Sequence, residues 1–170
     1  MKFLVWRVIG LLLLGTSSAQ ANAASFICSS APDHYTEFKQ ELSERFVSLS
    51  ADVAFVLRRE GEFRPSANIY FHSAIDTQDS VGFQILQVTE YGPLVVLSRS
   101  TNSNLPDEQY VTDASDELTV SFQINLKKDV LSTTIEGVKE SLFLPFPVNM
   151  ISFGCSSGEF HFSKIVIQEG

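Results

Sequence analysis

Two cysteines are the residues whose types and spacing suggest chemistry most directly. Cys28 lies near the start of the chain and Cys155 near its end, and the sequence contains no others. A pair of cysteines with none left over, in a chain that carries an export signal, predicts a disulfide. A zinc site is the alternative, but it needs histidines at short spacing, and His34, His72 and His161 are scattered. We therefore predict a Cys28–Cys155 disulfide and no metal site.

A second group of side chains is suited to binding a ligand. In the segment NIYFH, Asn68, Tyr70 and His72 alternate with two apolar residues. In a β-strand this alternation places the apolar residues in the core and the other three on the opposite face. Gln84 joins them if the next strand also buries its apolar residues. We predict a ligand-binding surface formed by Asn68, Tyr70, His72 and Gln84, with a solvated sheet face as the alternative.

Two further candidate features involve a polar loop and exposed rings. The oxygen-rich run Asp76–Asp79 carries ligands that Ca²⁺ prefers, but two aspartates in a polar loop more often shape a turn. Sugar binding normally rests on aromatic rings. The only tryptophan, Trp6, lies in the expected leader, so Tyr70, Tyr91 and Tyr110 are the rings that we expect to be partly exposed.

Residues 1–23 have the pattern of a secretory signal peptide. Lys2 and Arg7 accompany a short apolar run, and small residues recur at Ala19, Ala21 and Ala23. This is the arrangement of a cleaved export signal, and the apolar run is shorter than the roughly 20 residues of a membrane-spanning helix. We expect cleavage after Ala21 or Ala23, export to the periplasm or the extracellular space, and no membrane insertion after cleavage.

The charge of the chain limits its partners. The sequence has 12 basic and 20 acidic residues, a formal net charge of −8, which becomes −10 when Lys2 and Arg7 leave with the leader. Nucleic acids and anionic membrane surfaces do not attract such a chain. We therefore expect no nucleic-acid partner. The remaining candidate partners are a glycan and a protein of the cell envelope.

Residues 24–170 fit one domain built mainly from short strands. From Ala51 onward apolar residues recur with a period of two, most clearly in ELTVSFQINL, where every second residue from Leu118 to Leu126 is apolar. Many short strands separated by turn residues predict an all-β, two-sheet antiparallel sandwich, or jelly roll.

The two ends of this domain carry further predictions. Apolar residues from Tyr35 to Leu49 follow a spacing of three and four, which indicates one short N-terminal helix. NMISFG and EFHFSKIVI are expected to form a final hairpin joined by Ser156–Gly158, with a β-bulge near Ser163. If the first and last strands are neighbours, Cys28 and Cys155 can lie side by side.

The run from Asp116 to Ile167 resembles the concanavalin A-like jelly roll, in particular the laminin-G-like domains. Glu136-Gly137 and the run SSGEFHFSKI carry most of the match. The segment EFRPSANIYFHSAIDTQDSVGFQIL is similar to strands of sugar-hydrolase-like jelly rolls. The resemblance implies the fold and suggests glycan binding. It does not extend to a particular ligand, because Asp116-Glu117 stands where laminin-G-like domains carry Trp-His.

Enzymes on this fold carry signatures that the chain lacks. Retaining glucanases present E-x-D-x-x-E on one strand, which places a nucleophile and an acid about 5–5.5 Å apart, and no such run occurs here. Alginate-lyase-like jelly rolls carry Gln-Ile-His, where this chain has Gln84-Ile85-Leu86. We also expect no serine nucleophile at a strand-to-helix turn.

These observations favour a non-catalytic binding module for a glycan or another cell-envelope component, with no cofactor. The alternative is a small periplasmic protein-binding factor, such as an enzyme inhibitor or an immunity-type protein. Its basis is the small size, the single disulfide, the acidic charge and the missing catalytic groups.

Overall fold

The computed structural model describes residues 23–43, 46–76, 78–88, 92–100, 107–114, 119–127 and 129–170. Residues 1–22 of the expected leader lie outside this part, so the signal peptide and its cleavage stay predictions. Thr77, Tyr91 and the Asp116-Glu117 pair also lie outside it.

The regular secondary structure of the described residues is β-strand. None of these residues belongs to a helix that is long and apolar enough to cross a membrane. The strands are β1 (Ala24–Glu41), β2 (Phe46–Arg58), β3 (Ser66–Ser73), β4 (Ser80–Val88), β5 (Gly92–Ser100), β6 (Asp107–Asp113), β7 (Thr119–Lys127), β8 (Val130–Ile135), β9 (Val138–Phe143) and β10 (Val148–Glu169).

Strand β10 is long enough to belong to two sheets. Its residues 148–156 pair with β3 and its residues 158–169 with β2, while β1 pairs with its other edge over both parts. We call β6-β5-β4-β3-β10-β1 the front sheet and β1-β10-β2-β7-β8-β9 the back sheet. The distal strands β6 and β9 come into contact, so the two sheets nearly close on each other. The predicted all-β jelly roll is confirmed.

The core lies between the sheets and follows the two-residue period of the strands. In β7, the side chains of Val120, Phe122, Ile124 and Leu126 are buried, and the residues between them are exposed. Phe83 of the front sheet and Phe122 of the back sheet have ring centroids 6.4 Å apart. Contact between these rings shows that the two sheets pack face to face.

The predicted N-terminal helix is wrong. Its segment forms the second half of β1 and the start of β2, with residues 44 and 45 outside the described part. The apolar spacing is compatible with a helix, but pairing along the edge of β10 overrides this weak local preference. Phe38 instead packs against Phe26 of the same strand, with ring centroids 4.8 Å apart.

The predicted final hairpin is also wrong. Val148–Glu169 is one continuous strand that changes its partner from β3 to β2 near Ser157, where φ is 48°. A local distortion of this kind redirects a strand without reversing it. The bulge predicted near Ser163 is confirmed, because the register with β2 shifts between Ser163 and Val166 and Lys164 has a φ of 51°.

Cys28 and Cys155 form the predicted disulfide, with Cα atoms 6.0 Å apart. Both residues are fully buried. Cys28 lies on β1 opposite Phe160, and Cys155 lies on β10 opposite Thr36 of β1. The bond therefore ties the first strand to the last one where β10 passes between the sheets.

Candidate functional site

The outer face of the front sheet carries the predicted surface. Ile69 and Phe71 of β3 are 1% and 0% exposed and belong to the core. Because side chains alternate along a strand, Asn68, Tyr70 and His72 lie on the opposite, outer face, as the sequence predicts. The polar side chains of β3 therefore lie together on the outer face of the front sheet.

Tyr70 lies across the neighbouring strand. Its partner there is Gly82 of β4, and a Cβ atom at Gly82 would lie 2.6 Å from Tyr70 Cδ1. The phenol forms a hydrogen bond with Ser98, which lies opposite Gly82 on β5. Burial, and then the charges of Glu108 and Glu37, raise the pKa of the Tyr70 phenol against the opposing effect of the Ser98 bond. The ring therefore lies over β4, and its hydroxyl stays protonated at neutral pH.

A second glycine brings Tyr35 and Asn68 together. Gly154 of β10 pairs with Asn68 on one side and with Glu37 of β1 on the other. A Cβ atom at Gly154 would lie 2.6 Å from Asn68 Oδ1. The Tyr35 hydroxyl donates to that oxygen at 3.1 Å, and burial, with a smaller effect of Glu37, raises the pKa of the phenol. The absence of a side chain at Gly154 therefore allows this tyrosine–amide contact.

These side chains line an open cleft of about 550 Å³. Strands of the front sheet form its floor, and the loop between β2 and β3 forms a wall. Three of the four predicted residues, Asn68, Tyr70 and Gln84, lie in the cleft. Its lining consists of Tyr35, Glu62, Phe63, Arg64, Ser66, Asn68, Tyr70, Gln84, Leu86, Ser98, Glu108 and Ser156.

His72 shares the outer face but lies beside the cleft. It is 7% exposed, and its Nε2 atom lies 2.7 Å from Ser152 Oγ and 3.5 Å from Glu37 Oε1. Glu37 also forms an ion pair with Lys39 at 3.0 Å. His72 therefore belongs to a packed polar network next to the cleft, and its predicted role in ligand binding stays a prediction.

Sequence reasoning missed two aromatic residues of the cleft. Tyr35 was hidden in the apparent helical spacing, and Phe63 lies in the loop that forms the wall. Their exposed fractions are 50% and 56%. A single ring among the charged residues of EGEFRP was the available signal, because such a short polar segment offers it no apolar partners.

The run Gly154–Gly158 matches G-x-S-x-G, the spacing of a serine nucleophile, although the sequence analysis expects no such nucleophile at a strand-to-helix turn. That chemistry requires a sharp strand-to-helix turn at the central serine. Here the run lies inside the continuous strand β10, Cys155 is held in the disulfide, and the positive φ is at Ser157. Ser156 lines the cleft but lacks the backbone setting of such a nucleophile.

Asp33 fastens the cleft wall to β1. Its Oδ1 atom accepts a hydrogen bond from the Phe63 amide at 2.8 Å, and its own amide donates to Ser157 Oγ at 3.0 Å. Asp33 has a φ of 58°, a conformation that Asp and Asn adopt more readily than other side chains. A Cβ atom at Gly61 would lie 2.5 Å from Asp33 Oδ1, so glycine gives the carboxylate its room.

Arg59 fixes the base of the same loop. Its guanidinium donates to Glu159 Oε1 at 2.6 Å, to the Ser30 carbonyl at 2.6 Å and to the Gly158 carbonyl at 2.9 Å. Together, Arg59 and Asp33 connect the wall to both β1 and β10. The wall is therefore anchored at two points.

Replacement of Asp33 by alanine is expected to release the wall. The variant loses the acceptor of the Phe63 amide and places alanine at a positive φ, which together lower the free energy of unfolding by about 1–2 kcal/mol. Amide hydrogen exchange at Phe63 should accelerate. Asp33→Asn is the matched control, because it retains an acceptor oxygen and tolerates the same φ. Equal exchange rates at Phe63 in both variants and the wild type would show that Asp33 does not hold the loop.

The oxygen-rich run Asp76–Asp79 lies in the loop after β3. Asp76 shapes this loop, since its Oδ1 atom accepts a hydrogen bond from the Gln78 amide at 2.9 Å and its carbonyl accepts one from the Asp79 amide at 3.0 Å.

A second depression, of about 410 Å³, lies on the back sheet. Its lining is Asn125, Ser132, Thr133, Thr134, Lys139, Glu140 and Ser141, all of them polar.

Comparisons with known proteins identify the fold. No protein-family model and no curated protein sequence matches the chain. Among solved structures, it is similar to the carbohydrate-binding module CBM66 from Bacillus subtilis, with a TM-score of 0.60 and 9% identity over 88% of this chain and 93% of the other. The chain has a concanavalin A-like jelly-roll fold.

Two enzymes share this jelly-roll fold. A xylan β-1,4-xylosidase from Bacillus halodurans gives a TM-score of 0.67 at 11% identity over 85% of this chain, which spans 33% of the xylosidase. The alginate lyase A1-II′ gives a TM-score of 0.58 at 11% identity, covering 86% of this chain and 79% of the lyase. At such low identity the likeness concerns the fold, which both binding modules and enzymes use.

Proposed function

We propose that this protein is an exported, non-catalytic glycan-binding module and that the cleft of the front sheet is its binding site. The observation that carries the proposal is the placement of Tyr70 across Gly82. It lays an aromatic ring along the floor of a cleft that also contains Asn68 and Gln84. Neighbouring carbohydrate-active folds and the buried disulfide support the proposal at the level of fold and compartment.

The cleft has the two kinds of surface that a sugar needs. A pyranose or furanose ring has apolar C–H groups, which pack on aromatic rings, and hydroxyls, which need hydrogen-bond partners. Tyr70, Tyr35 and Phe63 supply the rings. Gln84 supplies an amide group whose donors and acceptor fix orientation, and the buried Asn68 holds Tyr35 in place through its Oδ1 atom.

The cleft is better suited to binding than to proton transfer. Tyr70 and Tyr35 have raised pKa values, so both phenols are protonated at neutral pH and neither is ready to accept a proton. Leu86 shares the strand parity of Gln84 and lines the cleft. In sequence, the run Gln84-Ile85-Leu86 resembles the Gln-Ile-His run of alginate-lyase-like jelly rolls with leucine in place of histidine, and leucine cannot transfer a proton.

Replacement of Tyr70 by alanine is expected to weaken glycan binding by roughly tenfold or more, because it removes the stacking surface from the floor. Binding should be measured by calorimetry with xylo-, fructo- and alginate oligosaccharides. Tyr110→Ala is the matched control, since Tyr110 lies on β6 of the same sheet, is 56% exposed and is not part of the cleft lining.

Two results would contradict the proposed site. One is the absence of binding to every oligosaccharide and envelope polysaccharide tested. The other is binding that Tyr70→Ala leaves unchanged while thermal unfolding shows that the variant is folded. Capture of an envelope protein instead of a glycan would favour the protein-binding alternative.

A further inference from the structure

We infer that the cleft selects glycans whose sugar units carry no negative charge, and that it discriminates against uronic acid polymers such as alginate. This inference rests on the proposed function and specifies its ligand class. It separates the protein from the alginate lyase that shares its fold, since alginate is a polyanion.

Charges around the cleft carry the inference. Glu62 and Glu108 line it, and both are exposed, whereas Arg64 is the one cation among the lining residues that the structure describes. Glu37 adds a carboxylate on the adjacent strand β1, and its ion pair with Lys39 offsets much of that charge. The remaining acidic groups outnumber the basic one, in a chain whose formal net charge is −8.

The pKa values of the two tyrosines in the cleft reflect these charges. Burial is the largest cause of the raised pKa of Tyr70, and the charges of Glu108 and Glu37 raise it further. Glu37 acts in the same direction on Tyr35. These carboxylates oppose a negative charge on the phenols, and they would oppose the carboxylate of a uronic acid bound beside them in the same way.

The same carboxylates suit uncharged sugars. Each carboxylate accepts hydrogen bonds from hydroxyl groups, and such charge-assisted bonds are among the stronger ones. A neutral sugar therefore uses Glu62 and Glu108 as acceptors, while a uronic acid unit meets repulsion at the same atoms. Arg64 can pair with one carboxylate of a ligand, so its contribution must be tested separately.

The experiment compares matched oligosaccharides by calorimetry at low ionic strength. Xylohexaose, cellohexaose and fructosylnystose form the neutral panel, and an alginate hexamer is the anionic probe. We expect at least one neutral oligosaccharide to bind roughly tenfold or more tightly than alginate. In the double variant Glu62→Gln/Glu108→Gln, the affinity for the alginate hexamer should increase several-fold. The affinity for the neutral oligosaccharides should not increase. In wild type, high salt should narrow the difference between the two classes.

Other outcomes would overturn the inference. Alginate binding as strong as the best neutral ligand, and lost in Arg64→Gln, would show that the arginine recruits anionic sugars. An unchanged preference in the double glutamine variant would show that the two carboxylates do not select against charge. If no oligosaccharide of either class binds, the proposed function itself fails, and the inference fails with it. Glu62 and Glu108 are exposed, so these variants should fold, and thermal unfolding checks this.

Discussion

Loss of the Cys28–Cys155 disulfide is expected to lower the free energy of unfolding by several kcal/mol, up to about 5. The bond joins residues separated by 127 positions, so its removal frees a very long loop in the unfolded chain. Replacement of both cysteines by serine also leaves two buried hydroxyl groups where β1 pairs with β10. Denaturant unfolding of Cys28→Ser/Cys155→Ser, compared with the oxidised wild type, measures the effect.

The strands should survive this change under native conditions. The core between the sheets includes large buried side chains such as Phe83 and Phe122, which do not depend on the disulfide. Reduced wild type is the control, because it breaks the bond without changing a side chain. Equal unfolding midpoints for the oxidised and reduced protein would contradict the stabilising role, and free thiols at both positions in the exported protein would contradict the bond itself.

Replacement of Gly82 by alanine is expected to lower the free energy of unfolding by about 1–3 kcal/mol and to abolish most ligand binding. The added Cβ atom would press on the Ile69 carbonyl oxygen and on the Tyr70 ring. The contact with the Ile69 carbonyl oxygen can be relieved only if β3 and β4 separate locally, and this separation, together with the pressure on the ring, moves Tyr70 from its position over β4. Calorimetry and denaturant unfolding on the same samples separate the two effects.

Gly137→Ala is the matched control for this substitution. Gly137 lies in the turn between β8 and β9 with a φ of 81°, and a Cβ atom there would meet nothing within 4 Å. Alanine at this position costs about 1–2 kcal/mol through backbone strain and should not alter binding. A Gly82→Ala variant that binds as tightly as Gly137→Ala would show that the position of Tyr70 is not important.

Alternation of side chains along individual strands accounts for what the sequence predicts correctly. A period of two buries Ile69 and Phe71, and the same rule places Tyr70 on the outer face. The disulfide follows from cysteine number and an export signal. These features depend only on residues close in sequence or on residue type, and so they can be read without knowledge of the strand order.

Features that depend on register between strands could not be predicted in this way. Nothing near Tyr70 in sequence indicates that Gly82 and Ser98 lie beside it, since that arrangement comes from the pairing of three strands. Tyr35 joins the cleft because β1 follows the edge of β10, where the apolar spacing suggested a helix. Similarly, Phe63 is placed by a hydrogen bond to a residue 30 positions away.

The most direct test of the binding site is an NMR titration of the ¹⁵N-labelled protein with the neutral oligosaccharides and the alginate hexamer. We predict that a neutral oligosaccharide gives amide shift changes concentrated at Asn68, Gly82, Gln84 and Ser98, with saturation at the affinity measured by calorimetry, and that the alginate hexamer gives smaller changes at the same concentration. No change at saturating concentrations, or changes confined to the back-sheet depression around Asn125, would contradict the assignment of the front-sheet cleft as the glycan site.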